Sequence, residues 1–356
     1  MMNRFRPNCL PTLIGSLPLD DHIKACELVF ECVPDIPIWV QLPVFKQEGM
    51  LRQFLPGMPG FTLQQEKVSI DTSSENFDAE MVSFFEDYMA VTEGKKTLAE
   101  SRFRLTPETA KGFFALLDRL NRTGTRPAAV KGQITGPFTF CTGICDRNDR
   151  AIFYDDQLRD AAVKLLALKA RWQVQQFRPW GCPAIVFLDE PALAGFGSSE
   201  FISISREDIA ACLGEVIEAV HADGGLAGVH VCANTDWSLL LDSEVDIINF
   251  DAYAYFDRFI LYPEQIRRFI RSGRILAWGI VPTLNPEDIE NESVDSLMNA
   301  WQEKTDQIEA LGIDRKAILA QSMITPSCGA GSLSLSLTRK VLWLTRALAD
   351  RIRLQR

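Results

Sequence analysis

The sequence predicts a single (β/α)8 barrel with an insertion after its second strand. Three observations carry that prediction. Eight short apolar runs are bounded by turn residues, helix-period segments separate most of them, and no repeat or low-complexity tract marks a second domain across 1–356. The runs are 10–17, 36–42, 128–136, 184–191, 226–233, 246–253, 274–282 and 317–326. Most are continuously apolar rather than alternating, the pattern of parallel strands buried on both faces.

Helix-period segments fall at 20–32, 107–122, 155–177, 205–222, 262–272 and 292–311, with 336–354 closing the chain. Asp20 and Asp21, Thr106-Pro107, Ser205 and Pro263 mark starts. Gly181, Gly224, Gly273 and Gly312 mark stops. Strands alternating with helices imply a barrel, with a doubly wound open sheet as the structural alternative. Residues 43–105 interrupt the rhythm. They contain the turn-rich LPGMPGF at 55–61, a candidate hairpin (FTLQQEKVSI) and a helix (FDAEMVSFFEDYMAV), and read as an insertion over the barrel mouth, plausible as a lid.

The bulk numbers narrow the function. Hydrophobic residues make up 47% and charged residues 24% of 356 residues, as in a globular protein with a large core. The formal charge of −10 argues against a nucleic-acid partner. No apolar run is long enough for a membrane span, and Pro11 and Pro18 break the first apolar stretch before it can serve as a signal peptide. The expected location is the cytoplasm. Nine cysteines, an odd number, speak against a disulfide framework and for small buried hydrophobes. Cys141 and Cys145 lack further ligands nearby and read as structural. Of the three histidines, His22 and His221 read as surface or capping residues.

In a parallel barrel the active site forms where the strands end. His230 and Cys232 lie two apart at one such end, so an imidazole and a thiol point the same way. Cys328 follows the eighth run in a Pro-Ser-Cys-Gly turn. One imidazole and two thiolates suit Zn²⁺ and leave a position open for substrate. A satisfied core histidine beside buried cysteines is the plainer alternative. Asp189 and Glu190 end the fourth run; they could orient a substrate, act as catalytic acid or base, or cap a helix. Asp251 ends the sixth run as a fourth ligand, an outer carboxylate behind a ligand, or a rim residue. Trp237 and Tyr253 either line the mouth or pack.

Together these segments resemble the C-terminal catalytic barrel of cobalamin-independent methionine synthase and related zinc methyltransferases of the uroporphyrinogen decarboxylase-like superfamily. Ile14-Gly15-Ser16-Leu17-Pro18 is similar to that family's I-G-S-F-P, and Lys131 to Pro137 to its K-G-x-x-T-G-P. Leu188 to Leu193 contains its D-E-P-A-L. His230-Val231-Cys232 matches its H-x-C, and Ser327-Cys328-Gly329 its D-C-G. The resemblance implies a zinc site of His230, Cys232 and Cys328, with Asp251 where the family has a glutamate ligand. It places Ile14, Gly15, Ser16 and Asp189 around a thiol substrate such as homocysteine.

Two departures refine this. The family glutamate that holds the homocysteine amine falls at Val44. The family's V-x-D-x-H-S, whose histidine helps protonate departing folate, falls on Ile280-Val281-Pro282-Thr283-Leu284-Asn285, with Pro282 at the aspartate position and Leu284 at the histidine position. An amine leaving group needs a general acid, whereas a methyl-corrinoid does not. With no second half-barrel in the sequence, the resemblance favours methylcobalamin, presented by a corrinoid protein partner, as donor. The expected reaction is therefore thiol S-methylation. The alternatives are a folate-using methyltransferase, a metal-free decarboxylase-like enzyme, and a non-catalytic zinc-binding barrel.

Overall fold

A computed structural model describes residues 5–64, 67–124 and 126–355. Seven parallel strands form one curled sheet: β1 (Leu10–Pro11), β4 (Val130–Thr135), β5 (Ala184–Asp189), β6 (Leu226–Val231), β7 (Ile247–Phe250), β8 (Ile275–Val281) and β9 (Ser322–Pro326). The antiparallel hairpin β2 (Phe61–Gln64) and β3 (Lys67–Ile70) stands apart. From β4 to β9 each strand pairs with the next in sequence, and β9 pairs with β1. That order has no reversal point, so the architecture is the barrel and not the doubly wound sheet.

The eighth strand position belongs to residues 36–42. The Gln41 N–H donates to Gly15 O at 3.1 Å, and the Leu17 N–H donates to Gln41 O at 3.0 Å. On the other flank the Lys131 N–H donates to Pro37 O at 2.9 Å. The pairing here consists of isolated bridges, Ser16 with Gln41 and Ile38 with Lys131. Prolines explain the sparse ladder: Pro11, Pro37 and Pro43 have no N–H to give.

The predicted runs therefore need trimming. Run 10–17 forms a ladder only at Leu10–Pro11. Run 317–326 divides into a helix, Arg315–Ala320, and a strand, Ser322–Pro326. Asp314 caps that helix through Lys316 N, a start signal that a short apolar run conceals. The helix expected at 107–122 begins at Lys111, after a turn in which Thr109 and Ala110 N–H groups donate to Thr106 O. The helices Asp156–Phe177, Arg206–Ala222 and Leu335–Leu354 fall within a residue of expectation. In the insertion, the hairpin and the helix Phe77–Thr92 are both present.

The strand period sorts the core. Outward-facing Val186, Leu188, Val229, Val231, Ile248, Phe250, Leu276 and Trp278 join the large cluster under the helices. Inward-facing Leu10, Ile36, Ala129, Ile185, Phe187, Ile247, Ile275, Ala277 and Met323 form a separate apolar layer inside the barrel. Further along the same inward rows the residues turn polar: Gln133, Asp189, His230, Asn249 and Thr325 are all buried. The barrel thus has an apolar floor and a polar upper end, which locates the site.

Candidate metal and substrate site

His230, Cys232 and Cys328 come together at that upper end. Their ligand atoms lie within 4.8 Å of one another. His230 is 4% exposed, and its Nδ1 is 2.6 Å from Asn249 Oδ1. The Asn249 amide is oriented by donating Nδ2 to Ala277 O (2.9 Å) and Thr325 Oγ1 (2.8 Å). Its oxygen must therefore face the imidazole, and Nδ1 must be the donor. In the neutral imidazole that leaves Nε2 as a lone pair, and Nε2 is buried with no hydrogen-bond partner among the described residues. A buried imidazole lone pair without a partner, beside two thiols, has the donor set and the outer support of a soft-metal site. The Cys232 thiol is drawn down to about 4, chiefly by the Cys328 thiol that hydrogen-bonds it and next by His230. Cys328 is correspondingly pushed up. One of the two sulfurs thus already favours the thiolate that a metal requires.

Cys328 is positioned by its neighbours. Ser327 N donates to Val281 O at 2.8 Å, and Ser327 Oγ accepts from Thr283 N at 3.1 Å. Ser16 braces the following turn: its carbonyl accepts from Ala330 N (3.0 Å) and its hydroxyl from Gly331 N (3.2 Å). Ile14 and Ser16 line the same cavity as the three candidate ligands, a space of about 300 Å³. Gly15 lies behind them, where a β-carbon would come within 2.5 Å of Gln41 Oε1. It provides clearance rather than contact.

The adjacent carboxylates part company. Asp189 lines the cavity, and its Oδ1 is buried without a partner. Burial raises its pKa. Glu190 turns the other way and binds the start of the helix Pro137–Gly143. It accepts from Phe138 N (2.9 Å), Thr139 N (2.8 Å) and Thr139 Oγ1 (2.6 Å). Gly136 makes room for it, since a β-carbon there would lie 2.2 Å from Glu190 Cδ. Burial pushes Glu190 up to about 7 against these hydrogen bonds. Of the pair expected to be catalytic, only Asp189 faces the cavity; with both oxygens engaged, Glu190 works as a helix-terminus anchor.

Asp251 is 5% exposed, and its Oδ1 accepts from Ala254 N at 2.8 Å. It is not part of the mutually close set of ligand atoms, and burial raises it to about 6. Trp237 is fully buried against Phe250 and Phe259 and belongs to the core, whereas Tyr253 donates its hydroxyl to Glu292 at 2.9 Å.

Two departures take physical form here. Val44 is 63% exposed and absent from the cavity lining, and Leu284 is 85% exposed. Glu48, four residues after Val44, is 2% exposed and lines the cavity. Its Oε2 accepts from Leu42 N (2.9 Å), and its Oε1 lies 2.6 Å from His22 Nε2. His22 is thus a partner to a buried carboxylate rather than a surface residue. Lys131 was also passed over as a site residue. It is fully buried, donates Nζ to Ile14 O at 2.6 Å, and is lowered to about 8 by burial.

By sequence, no protein-family model and no curated protein matches the chain. Solved structures do resemble it. A B12-independent methionine synthase from a Shewanella species, solved with selenomethionine, superposes with a TM-score of 0.53 at 14% identity, covering 98% of both chains. A protein described as a vitamin-B12-independent methionine synthase, from Listeria monocytogenes, gives 0.52 at 16% identity, covering 96% of this chain and 97% of the other. The likeness is one of fold. A methyltransferase from Methanosarcina mazei gives 0.51 at 12% identity over 93% of this chain and 84% of the other. What the three share with this chain is the barrel fold.

Proposed function

We propose that the protein is a zinc-dependent methyltransferase acting on a small thiol such as homocysteine. The observation that carries this reading is the buried, partnerless Nε2 of His230, fixed by Asn249 and facing the two thiols of Cys232 and Cys328. His230, Cys232 and Cys328 would hold the metal. Bound there, zinc supplies a soft cationic centre that keeps an acceptor sulfur as thiolate near neutral pH. The chain's own residues supply the rest. Asp189, with a free buried oxygen, suits a donor group of the acceptor such as an ammonium. Ile14, Met50 and Pro191 form apolar walls that limit water around the reacting sulfur.

The donor we favour is a methyl-corrinoid, carried by a partner protein. The support is the absence of an acid at the Pro282 and Leu284 positions, with Leu284 turned to solvent. Cobalt departs with its electron pair and needs no proton, unlike a folate nitrogen. The experiment is methyl transfer from methylcobalamin to homocysteine by zinc-loaded protein, followed by loss of the methylcobalamin absorbance. S-methylation that Cys232→Ser abolishes supports the reading. Transfer from methyl-folate but not from methylcobalamin would replace the donor, and no transfer to any thiol would remove the activity.

A further inference from the structure

The Glu48–His22 pair is not explained by metal binding or by acceptor recognition. Glu48 lines the cavity that holds the candidate ligands, and two of its lone-pair positions are used, by Leu42 N and His22. A carboxylate offers about four such positions, so a further donor in the cavity can be accommodated. His22 lies behind Glu48, with a side chain 11% exposed, its ring stacked on Phe45 at 5.2 Å. It also lines a second cavity, of about 480 Å³, between the first helix and the helix Lys111–Thr123. The pair therefore spans the wall between the reaction cavity and an outer one. In the cavity's other carboxylate, Asp189, Oδ1 is buried without a partner among the described residues.

We propose that Glu48 and His22 carry the acceptor's thiol proton out of the site. The inference rests on the thiol methyltransferase reading, and its chemistry follows from that reaction. Converting a thiol to a thioether releases one proton: the S–H bond breaks, an S–C bond forms, and the donor leaves with the electron pair of its bond to the methyl group. The proton enters the pair at the Glu48 carboxylate, and one proton leaves from His22 Nδ1 to water in the outer cavity. For each proton the pair takes up on the cavity side it gives one up on the outer side, so its own proton count is unchanged. Glu48 is the group that meets the substrate, and His22 is a positioning and relay residue acting through it.

The charged groups around His22 are Asp20 and Asp21 on its own turn and Glu27 on its own helix. Across the outer cavity stand Lys111, Asp118, Arg119 and Arg122 of the facing helix. Asp21 is committed to capping, through Ile23 N and Lys24 N, and Arg119 pairs with Glu27. Phe45 separates Lys111 from the imidazole: the lysine Nζ lies 6.0 Å from the centre of that ring.

The test needs no methyl donor. Zinc-loaded protein is mixed with homocysteine in a stopped-flow instrument, with a pH indicator reporting proton release. Wild type should release its proton in the binding phase. His22→Gln, which keeps a donor to Glu48 but cannot relay, should release it roughly 100-fold more slowly with unchanged zinc content and final amplitude. In His22→Ala, free imidazole should restore the rate, increasingly as pH rises and more of it is unprotonated. Wild-type release rates in His22→Gln overturn the relay and leave the pair a brace. Absence of release in wild type overturns the thiol reading, and the relay with it, so the two failures are distinguishable.

Discussion

The two sides of the barrel mouth are built by different means. From β5 to β8 the ladder is regular, and His230 and Asn249 reach the interior because strand residues two apart share a face. From residue 12 to residue 54 strand pairing is reduced to single bridges, and the site residues arrive on bends and short 3₁₀ turns such as Lys46–Glu48. The first side collects the candidate metal ligands, and the second brings Ile14, Ser16 and Glu48 to the same cavity. The difference teaches that a periodic element carries its geometry in its spacing, while an irregular one acquires its geometry from what it packs against.

Asp189 and Glu190 give the sharpest way to break that comparison, because they are neighbours with opposite attachments. Glu190→Ala orphans two buried N–H groups and a hydroxyl, and it should destabilise the protein by about 3 kcal/mol in chemical unfolding without changing the metal donor set. Asp189→Asn should leave stability unchanged or raised, because burial already disfavours its charge. Equal losses in both variants would make the pair a single structural unit.

Asn249→Ala comes next in size. It removes the acceptor that holds the His230 Nδ1 proton and should weaken metal affinity by roughly 10–100-fold, read by competition with a chromophoric chelator. Unaltered affinity would mean that the imidazole is held by packing alone.

Lys169 gives a smaller effect far from the mouth. It is 1% exposed, its Nζ donates to the Arg104 carbonyl at 3.5 Å, and burial lowers it to about 7 from 10.5. The unfolded chain therefore binds more protons between those values, so wild-type stability should rise with pH from about 7 to 10.5. Lys169→Met should flatten that slope and stabilise the protein near neutral pH by about 1–4 kcal/mol. A steeper slope in the variant would refute this.

These contrasts also explain what the sequence made legible. Barrel class, most helices and the three candidate metal ligands follow from periodicity and from residues at strand ends. The roles of Glu190, Glu48 and His22 do not. Whether a carboxylate faces a cavity or a helix terminus depends on a contact about fifty residues away, as between Glu190 and Thr139. Val44 and Glu48 exchange inside and outside within a single turn. Helix Arg315–Ala320 was hidden for a related reason, since a short apolar run serves either state until its cap is read.

The central claim is that His230, Cys232 and Cys328 form one metal site. The most direct measurement is the zinc content of protein reconstituted anaerobically, in wild type and in Cys232→Ser and Cys328→Ser. The account predicts about one zinc per chain in wild type and its loss in both variants, with folding intact by circular dichroism. Wild type that takes up no zinc, or variants that retain it in full, would contradict the account.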